Sequence, residues 1–460
     1  MIPEKDAPQE NSAVAPKAYF RWIICGLLFF STTVNYMDRQ VISYLKEYFC
    51  RPETMGGFGW SNSDFAYVTA FFTGFYAGMT ILVGWLIDKI GTKLGLALSL
   101  IIWSIFGILN AFAGRMVAMH VLVRSAFGIG EAGNFPASIK TVAEWFPKRE
   151  RALATGVFNS GSNVGAMISA LFVPWCLIHF GDEKGWKMAY VLTGAVGFLW
   201  LIIWFWLYDI PAKHKRLSKA EFDYIHSDDL KAPAGAPATD AAKVSWGKLL
   251  GYRQTWSFFF GKFLTDGVWW FYLFWLPDYL KKQFGMTNQE VRLPTFIVYG
   301  VAIIGSVYGG SIPMTFMKKG MPVYKARMLA MLLIAIFPLT VLATQYFGNV
   351  EHFGNKASVL AVSLICIGAA AHQAWSANLF TTVSDMFPKK AVGSVTGIGA
   401  MAGGVGGVLV QLLAGALTDA YKARPQTAYL FMFILCALSY LLAWIVMKAL
   451  VPRHKPITDL

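Results

Sequence analysis

Glu144-Trp145-Phe146-Pro147-Lys148 recurs 241 positions later as Asp385-Met386-Phe387-Pro388-Lys389. The same offset lays Thr155-Gly156 on Thr396-Gly397 and Val164-Gly165 on Val405-Gly406. In each copy an acid ends an apolar stretch, Phe-Pro turns the chain, and a base opens the next segment. Pro cannot continue a helix, so the dipeptide punctuates rather than extends. Two copies of one long unit are implied, divided by the longest polar stretch, Asp209 to Arg253.

The composition says what solvent these units face. Of 460 residues, 56% are hydrophobic and only 14% charged, and the mean hydropathy is +0.49. Soluble domains carry about 25% charged residues, and a single core stops growing well below this length. The apolar residues also run in blocks rather than amphipathic stripes. Lipid is therefore part of the solvent, which excludes a soluble enzyme, a nuclear factor and a secreted disulfide scaffold.

A membrane helix needs roughly 20 mostly apolar residues. Twelve segments qualify: 20–45, 64–87, 95–114, 117–145, 153–178, 188–208, 255–280, 295–316, 327–346, 357–386, 393–418 and 427–449. Twelve crossings put both termini on one side. The tails and even-numbered linkers hold 25 of the 40 Lys and Arg, and the opposite linkers hold 11. The positive-inside rule then places both termini in the cytoplasm. The net charge of +14 thus reports topology, and no nucleic-acid partner is expected. The polar N-terminus lacks the apolar region and cleavage site of a signal peptide, so the first span is expected to be retained.

The expected architecture is an all-α membrane protein of twelve helices in two pseudosymmetric six-helix bundles. Residues 1–19 form a cytoplasmic tail, 20–208 the first bundle, 209–253 a cytoplasmic linker, 254–450 the second bundle and 451–460 a cytoplasmic C-terminal tail. Within the linker, Leu217 to Ile225 predicts a short helix capped by Ser218, while the Ala/Pro/Gly-rich 231–243 predicts a loose segment. The five cysteines are scattered with no CxxC pair, so neither disulfide nor metal is expected. No H-E-x-x-H, G-x-S-x-G or Cys/His cluster suggests an enzyme, and no cofactor is implied. Nothing requires an obligate protein partner, so a monomer is expected.

Gly84-Trp-Leu-Ile-Asp88-Lys89-Ile-Gly91-Thr-Lys93, between the second and third segments, resembles the signature G-x-x-x-D-[RK]-x-G-x-[RK] of the major facilitator superfamily. The corresponding stretch of the second half, Gly309-Gly310 through Lys318-Lys319-Gly320, keeps glycines and bases but lacks the acid. Asn35-Tyr36-Met37-Asp38-Arg39, and Arg124 followed by Gly128, Gly130, Glu131, Asn134 and Pro136, are similar to the superfamily's anion:cation symporters. Lys262 to Asp266, Trp269 to Pro277 and Ala371 to Ser376 look most like the bacterial hexuronate transporters within that family. The resemblance implies proton-coupled import of a hexuronate such as glucuronate or galacturonate across the bacterial inner membrane. An aldonate such as galactonate or an aldarate such as glucarate stays open, because their carriers share the first two motifs. A proton-driven exporter fits less well with so many fixed cations.

A charge at mid-bilayer costs about 2.5 kcal/mol or more, so intramembrane charges are functional candidates. Asp38 and Arg39 are adjacent and diverge by about 100° on a helix. Arg124 and Glu131 are seven apart, on one face with Asn134 and Ser138. An Arg offers a fork to a carboxylate, while a desolvated acid can take and release protons. The resemblance assigns substrate carboxylate binding to Arg39 and protonation to Asp38 and Glu131, with Arg124 releasing an acid in one state. Lys262 and Asp266, four apart, read as an intrahelical pair or as a substrate contact through Lys262. His372 lies 241 positions after Glu131 and so at its pseudosymmetric site. Tyr36, Tyr76, Asn159, Asn163, Trp269, Gln373 and Ser376 complete the candidate substrate site, and Gln411 is also suitably placed. Asp88, Lys89, Arg149 and Arg151 are candidates for a cytoplasmic gate.

Overall fold

The computed structural model describes residues 19–227, 246–458 and 460. Its first half comprises α1 (Phe20–Cys50), α2 (Asn62–Ile90), α3 (Thr92–Leu109) and a broken α4 (Val117–Glu131 and Asn134–Trp145). Two helices follow within Lys148–Leu207, α5 (148–180) and α6 (182–207), and the chain reverses between them at Gly181, whose φ of 71° only glycine adopts at ease. The second half comprises α7 (Arg253–Phe284), α8 (Arg292–Lys318), α9 (Val323–Ile336, tightening into 3-10 turns over Phe337–Ala343), α10 (Ala357–Met386), α11 (Lys389–Ala420) and α12 (Pro425–Leu450).

By length and apolarity alone, eight described stretches could cross a membrane, and one of these, Leu153–Leu207, contains both α5 and α6. The remaining crossings are α1, α4 and α7. They fall short because α4 is interrupted and because α1 and α7 carry charges in mid-span. The interruption has a local cause: Pro136 has no N–H for the carbonyl of Ala132, where the helix breaks. Hydropathy is therefore weakest in the three helices that hold the candidate charges.

The repeat is a packing repeat. A Cβ on Gly165 of α5 would overlap the Thr33 carbonyl oxygen of α1, and one on Gly406 of α11 would overlap the Phe263 carbonyl oxygen of α7. The Val-Gly pairs matched in sequence are thus two of the places where helix backbones touch, as small residues allow within membranes. The acids of the repeat also correspond. Glu144, near the end of α4, accepts hydrogen bonds from Thr92 (2.8 Å) and Tyr208 (2.9 Å), and Asp385, near the end of α10, pairs with Arg327 at 2.6 Å. In the linker, Ser218 caps the short helix Lys219–Ile225 by accepting from the Glu221 N–H. There Glu221 also holds Arg21, which pairs with Glu150 at 2.8 Å, so the linker is fastened to the first bundle. The loose segment expected at 231–243 lies outside the described residues.

Gly165→Val and Gly406→Val should each force apart a helix pair and destabilise the protein by about 1–3 kcal/mol or more. Gly156→Ala, whose Cβ would meet nothing within 4 Å, should be neutral. Thermal unfolding in detergent, followed by loss of the monodisperse species, distinguishes the three.

Candidate functional site

The charges of α1 and α4 meet in the middle of the first bundle. Gly128 and Gly130 let α4 sit directly against α2 and α3: a Cβ at Gly128 would come within 2.8 Å of the Phe72 carbonyl oxygen, and one at Gly130 within 2.5 Å of the Trp103 nitrogen. The last residue of the first α4 piece, Glu131, is thereby pressed toward α1. Its Oε2 accepts from Arg39 Nε at 2.8 Å and lies 2.8 Å from Nη2. Both residues are fully buried. Farther along the same face, Asn134 bonds Ser31 (2.7 Å) and Thr32 (3.3 Å), so Glu131 and Asn134 both face α1.

Arg39 is enclosed by rings. Its guanidinium carbon stands 4.4 Å from the centre of the Tyr36 ring, 4.5 Å from Tyr76, 5.3 Å from Trp270 and 5.5 Å from Phe72. Such contacts stabilise a cation without neutralising it. Asp38 diverges as expected, into the packing beside Trp103 and Thr193; neither carboxylate oxygen has a hydrogen-bond partner. Arg124 donates to the Arg39 backbone carbonyl at 3.1 Å, its Nε and Nη1 are unpartnered, and it lies over Phe72 and Phe127. One ion pair is made, and Asp38 and Arg124 stand outside it.

In the second half, Lys262 pairs with Asp266 at 2.6 Å and lies 4.5 Å over Phe380. Trp269 stacks on His372 at 5.0 Å and 6°, and His372 Nδ1 is hydrogen-bonded to the Tyr440 hydroxyl at 2.8 Å. The adjacent tryptophans of α7 therefore serve different halves: Trp270 faces Arg39 and Trp269 faces His372. Gln373 and Ser376 are half-buried on α10, Asn163 is buried with its Oδ1 unpartnered, and Asn159 is exposed on α5. Gln411 is buried as a bridge, accepting from Thr69 (3.3 Å) and Trp275 (2.6 Å) and donating to the Trp270 carbonyl (3.1 Å). Of the gate candidates, Lys89 lies over the Trp85 ring at 3.8 Å, and the side chains of Asp88, Arg149 and Arg151 lie outside the described residues.

A second polar centre joins the halves. Lys46, counted from sequence with the linkers, is buried on α1 and donates to Asn62 (2.7 Å) and to Asp278 of α7 (2.6 Å). Asp278 also pairs with Lys282 at 3.2 Å and accepts from Tyr429. Glu47 pairs with Lys281 at 2.8 Å, while Asp419 of α11 accepts from the N–H groups of Asn62 and Ser63 at the start of α2. Among the described residues, every hydrogen bond and ion pair between the halves lies at this end, from Thr69–Gln411 outward. It is the end opposite the base-rich tails. The signal in sequence was present: Lys46-Glu47 and Asp278 with Lys281 fall at matching heights near the ends of α1 and α7, and apolar windows overlook helix ends.

Lys46→Met should loosen this seal by up to about 3 kcal/mol, since it strips one partner from a buried acid. Cys50, half-buried beside it, should then react with a maleimide several-fold faster in detergent than in the parent protein.

Comparison with known proteins agrees with this architecture. The profile of the Major Facilitator Superfamily matches residues 28–410. The chain is 30% identical to the hexuronate transporter of Escherichia coli K12 over 93% of its own length and 94% of that protein's. It is 29% identical to the "Probable galactarate/D-glucarate transporter GarP" of the same organism, over 87% and 88%. In fold it superposes on a bacterial homolog of the human lysosomal transporter Spinster, in an inward-facing conformation, with a TM-score of 0.71, 17% identity and coverage of 97% and 100%. The chain is a multi-pass membrane transporter protein, not an enzyme, and it belongs to the Major Facilitator Superfamily.

Proposed function

We propose that this chain is a proton-coupled symporter that imports a hexuronate such as glucuronate or galacturonate by alternating access. The observation that carries this is Arg39, fully buried, caged by rings from both halves, and paired with the one acid, Glu131, that a substrate carboxylate would replace. A guanidinium can satisfy a carboxylate through two parallel bonds. Glu131 and substrate therefore compete for one fork. Protonating Glu131 makes it a poor partner, and Arg39 becomes free to dock the substrate. Asp38 supplies a second protonation site, and Arg124, close to both, stabilises whichever acid is charged.

The remaining lining is suited to a polyol. Tyr36, Tyr76, Asn163, Gln373 and Ser376 offer hydroxyls and amides, Trp269 offers an apolar wall, and His372 and the Lys262–Asp266 pair close the second half. The sealed end at Lys46 and Asp278 then faces the periplasm, and the site opens to the cytoplasm through a gate formed by Asp88, Lys89, Arg149 and Arg151. Rocking of residues 20–208 against 254–450 would break the seal and close that gate. The linker 209–253 and both tails, 1–19 and 451–460, lie on the cytoplasmic side of the bacterial inner membrane. One chain carries every group the cycle uses, so a monomer suffices.

Reconstituted in liposomes, the protein should accumulate labelled glucuronate when an inward proton gradient is imposed and lose accumulation when the gradient is collapsed. Gradient-independent uptake would overturn the coupling. Arg39→Lys, which keeps charge but removes the fork, should lower uptake about a hundredfold. Glu131→Gln should abolish gradient-driven accumulation while preserving exchange of internal for external substrate. Loss of both activities in Glu131→Gln would assign that residue to binding rather than coupling.

A further inference from the structure

We propose that Asp266 makes the site selective for sugar acids with one carboxylate over those with two, an inference that rests on the reading of Arg39 as the carboxylate anchor. The superfamily relatives above are named for both kinds, so membership does not decide between them. The arrangement along α7 does.

Trp270 marks the level of the anchor, since its ring lies 5.3 Å from the Arg39 guanidinium. Asp266 is four residues earlier, about 6 Å down the helix, and Lys262 about 12 Å down. The end carbons of an extended six-carbon acid are about 6 Å apart, close to the rise of four helical residues. With one end on Arg39 and the chain directed along α7, the other end reaches Asp266 and stops short of Lys262. Asp266 also lies within electrostatic reach of Tyr36 of the opposite half.

The far end of the substrate thus meets an acid. Its carboxylate is half-buried, with a side-chain exposure of 19%, against 7% for Lys262. It is fixed by two contacts: the Lys262 ammonium at 2.6 Å and Gly403 of α11, where a Cβ would overlap Asp266 Oδ2. Lys262 is in turn held under Phe380. The pair carries no net charge, but Asp266 is the member nearer the level of Trp270, so the negative end faces the substrate and the Lys262 ammonium behind it is not free for a second carboxylate. In the middle of α7 and α10 the basic side chains are Lys262 and His372, since Arg253, Lys281 and Lys282 lie at the ends of α7, and His372 is committed to Trp269 and Tyr440. A carboxylate in that position accepts hydrogen bonds from hydroxyls and repels a second carboxylate, so a hexuronate or aldonate is admitted and an aldarate is rejected.

The test is competition against labelled glucuronate uptake in proteoliposomes by unlabelled glucuronate, galactonate and glucarate. In the parent protein, galactonate should compete about as well as glucuronate, and glucarate at least about tenfold less well. Asp266→Asn leaves Lys262 unneutralised and should improve glucarate competition about tenfold while weakening glucuronate. The double variant K262Q/D266N, with no charge at either position, should lose that gain. Equal competition by glucarate in the parent protein would overturn the proposal whether or not any variant folds. An unchanged preference in an Asp266→Asn protein that still transports glucuronate would also overturn it. Uptake of none of the three would overturn the functional reading itself and the proposal with it.

Discussion

A guanidinium and a carboxylate buried in the middle of a membrane bundle hold the rest of the arrangement in place. Neither Arg39 nor Glu131 could be left there alone: removing one partner of a buried pair costs about 3–5 kcal/mol. Their union dictates the neighbourhood. It brings α4 against α1, which needs Gly128 and Gly130 at the backbone contacts with α2 and α3. It places Glu131 at the end of a helical piece, which Pro136 ends by withholding an N–H. It surrounds the cation with rings rather than aliphatic side chains, and rings are the apolar groups that attract a cation.

The polar centre at the sealed end is built on a different principle. Lys46, Asp278, Asn62, Lys282 and Tyr429 form a network in which the charges have several partners each. Such a network tolerates rearrangement, since no single bond satisfies a charge alone. The pair inside the bundle has the opposite character, because Arg39 has one acid and Glu131 one base. A device that must open and close suits the first design, and a device that must respond to a competing anion suits the second. Small residues also bring these helices together: Ala66 against Gly415 and Ala77 against Gly404 let α2 and α11 touch from the sealed end to mid-membrane.

Much of this was readable from the chain. The repeat announced two bundles, and the offset that aligned Glu144 with Asp385 also aligned Gly165 with Gly406, two of the glycines at which backbones touch. The mid-span charges were visible because lipid makes them expensive, and Asp38 and Arg39 diverge as their adjacency requires. The choice of pair is set by packing: the sequence allows Asp38–Arg124 and Arg39–Glu131 alike, and the fold makes the second. Trp270 rather than Trp269 reaches Arg39 for the same reason, a difference of 100° that periodicity cannot orient without knowing the neighbour. The seal escapes hydropathy because the apolar segments 20–45 and 255–280 stop short of Lys46, Lys281 and Lys282, although α1 and α7 continue through them to Cys50 and Phe284.

In the proposed cycle the coupling ion and the substrate need not touch. If an acid and a substrate carboxylate compete for one fork, occupancy by either excludes the other, and protonation changes the balance without any direct contact between proton and substrate. Linkage then requires the reverse: substrate on Arg39 must favour the protonated acid by the same free energy. The reserve groups give that exchange somewhere to go. When Glu131 is displaced in its charged form, Arg124 lies along the same helix face with two nitrogens unpartnered, and Asp38 stands behind it with both oxygens unpartnered. Such unsatisfied buried groups are costly in a static structure, and they are intelligible where partners are exchanged during a cycle.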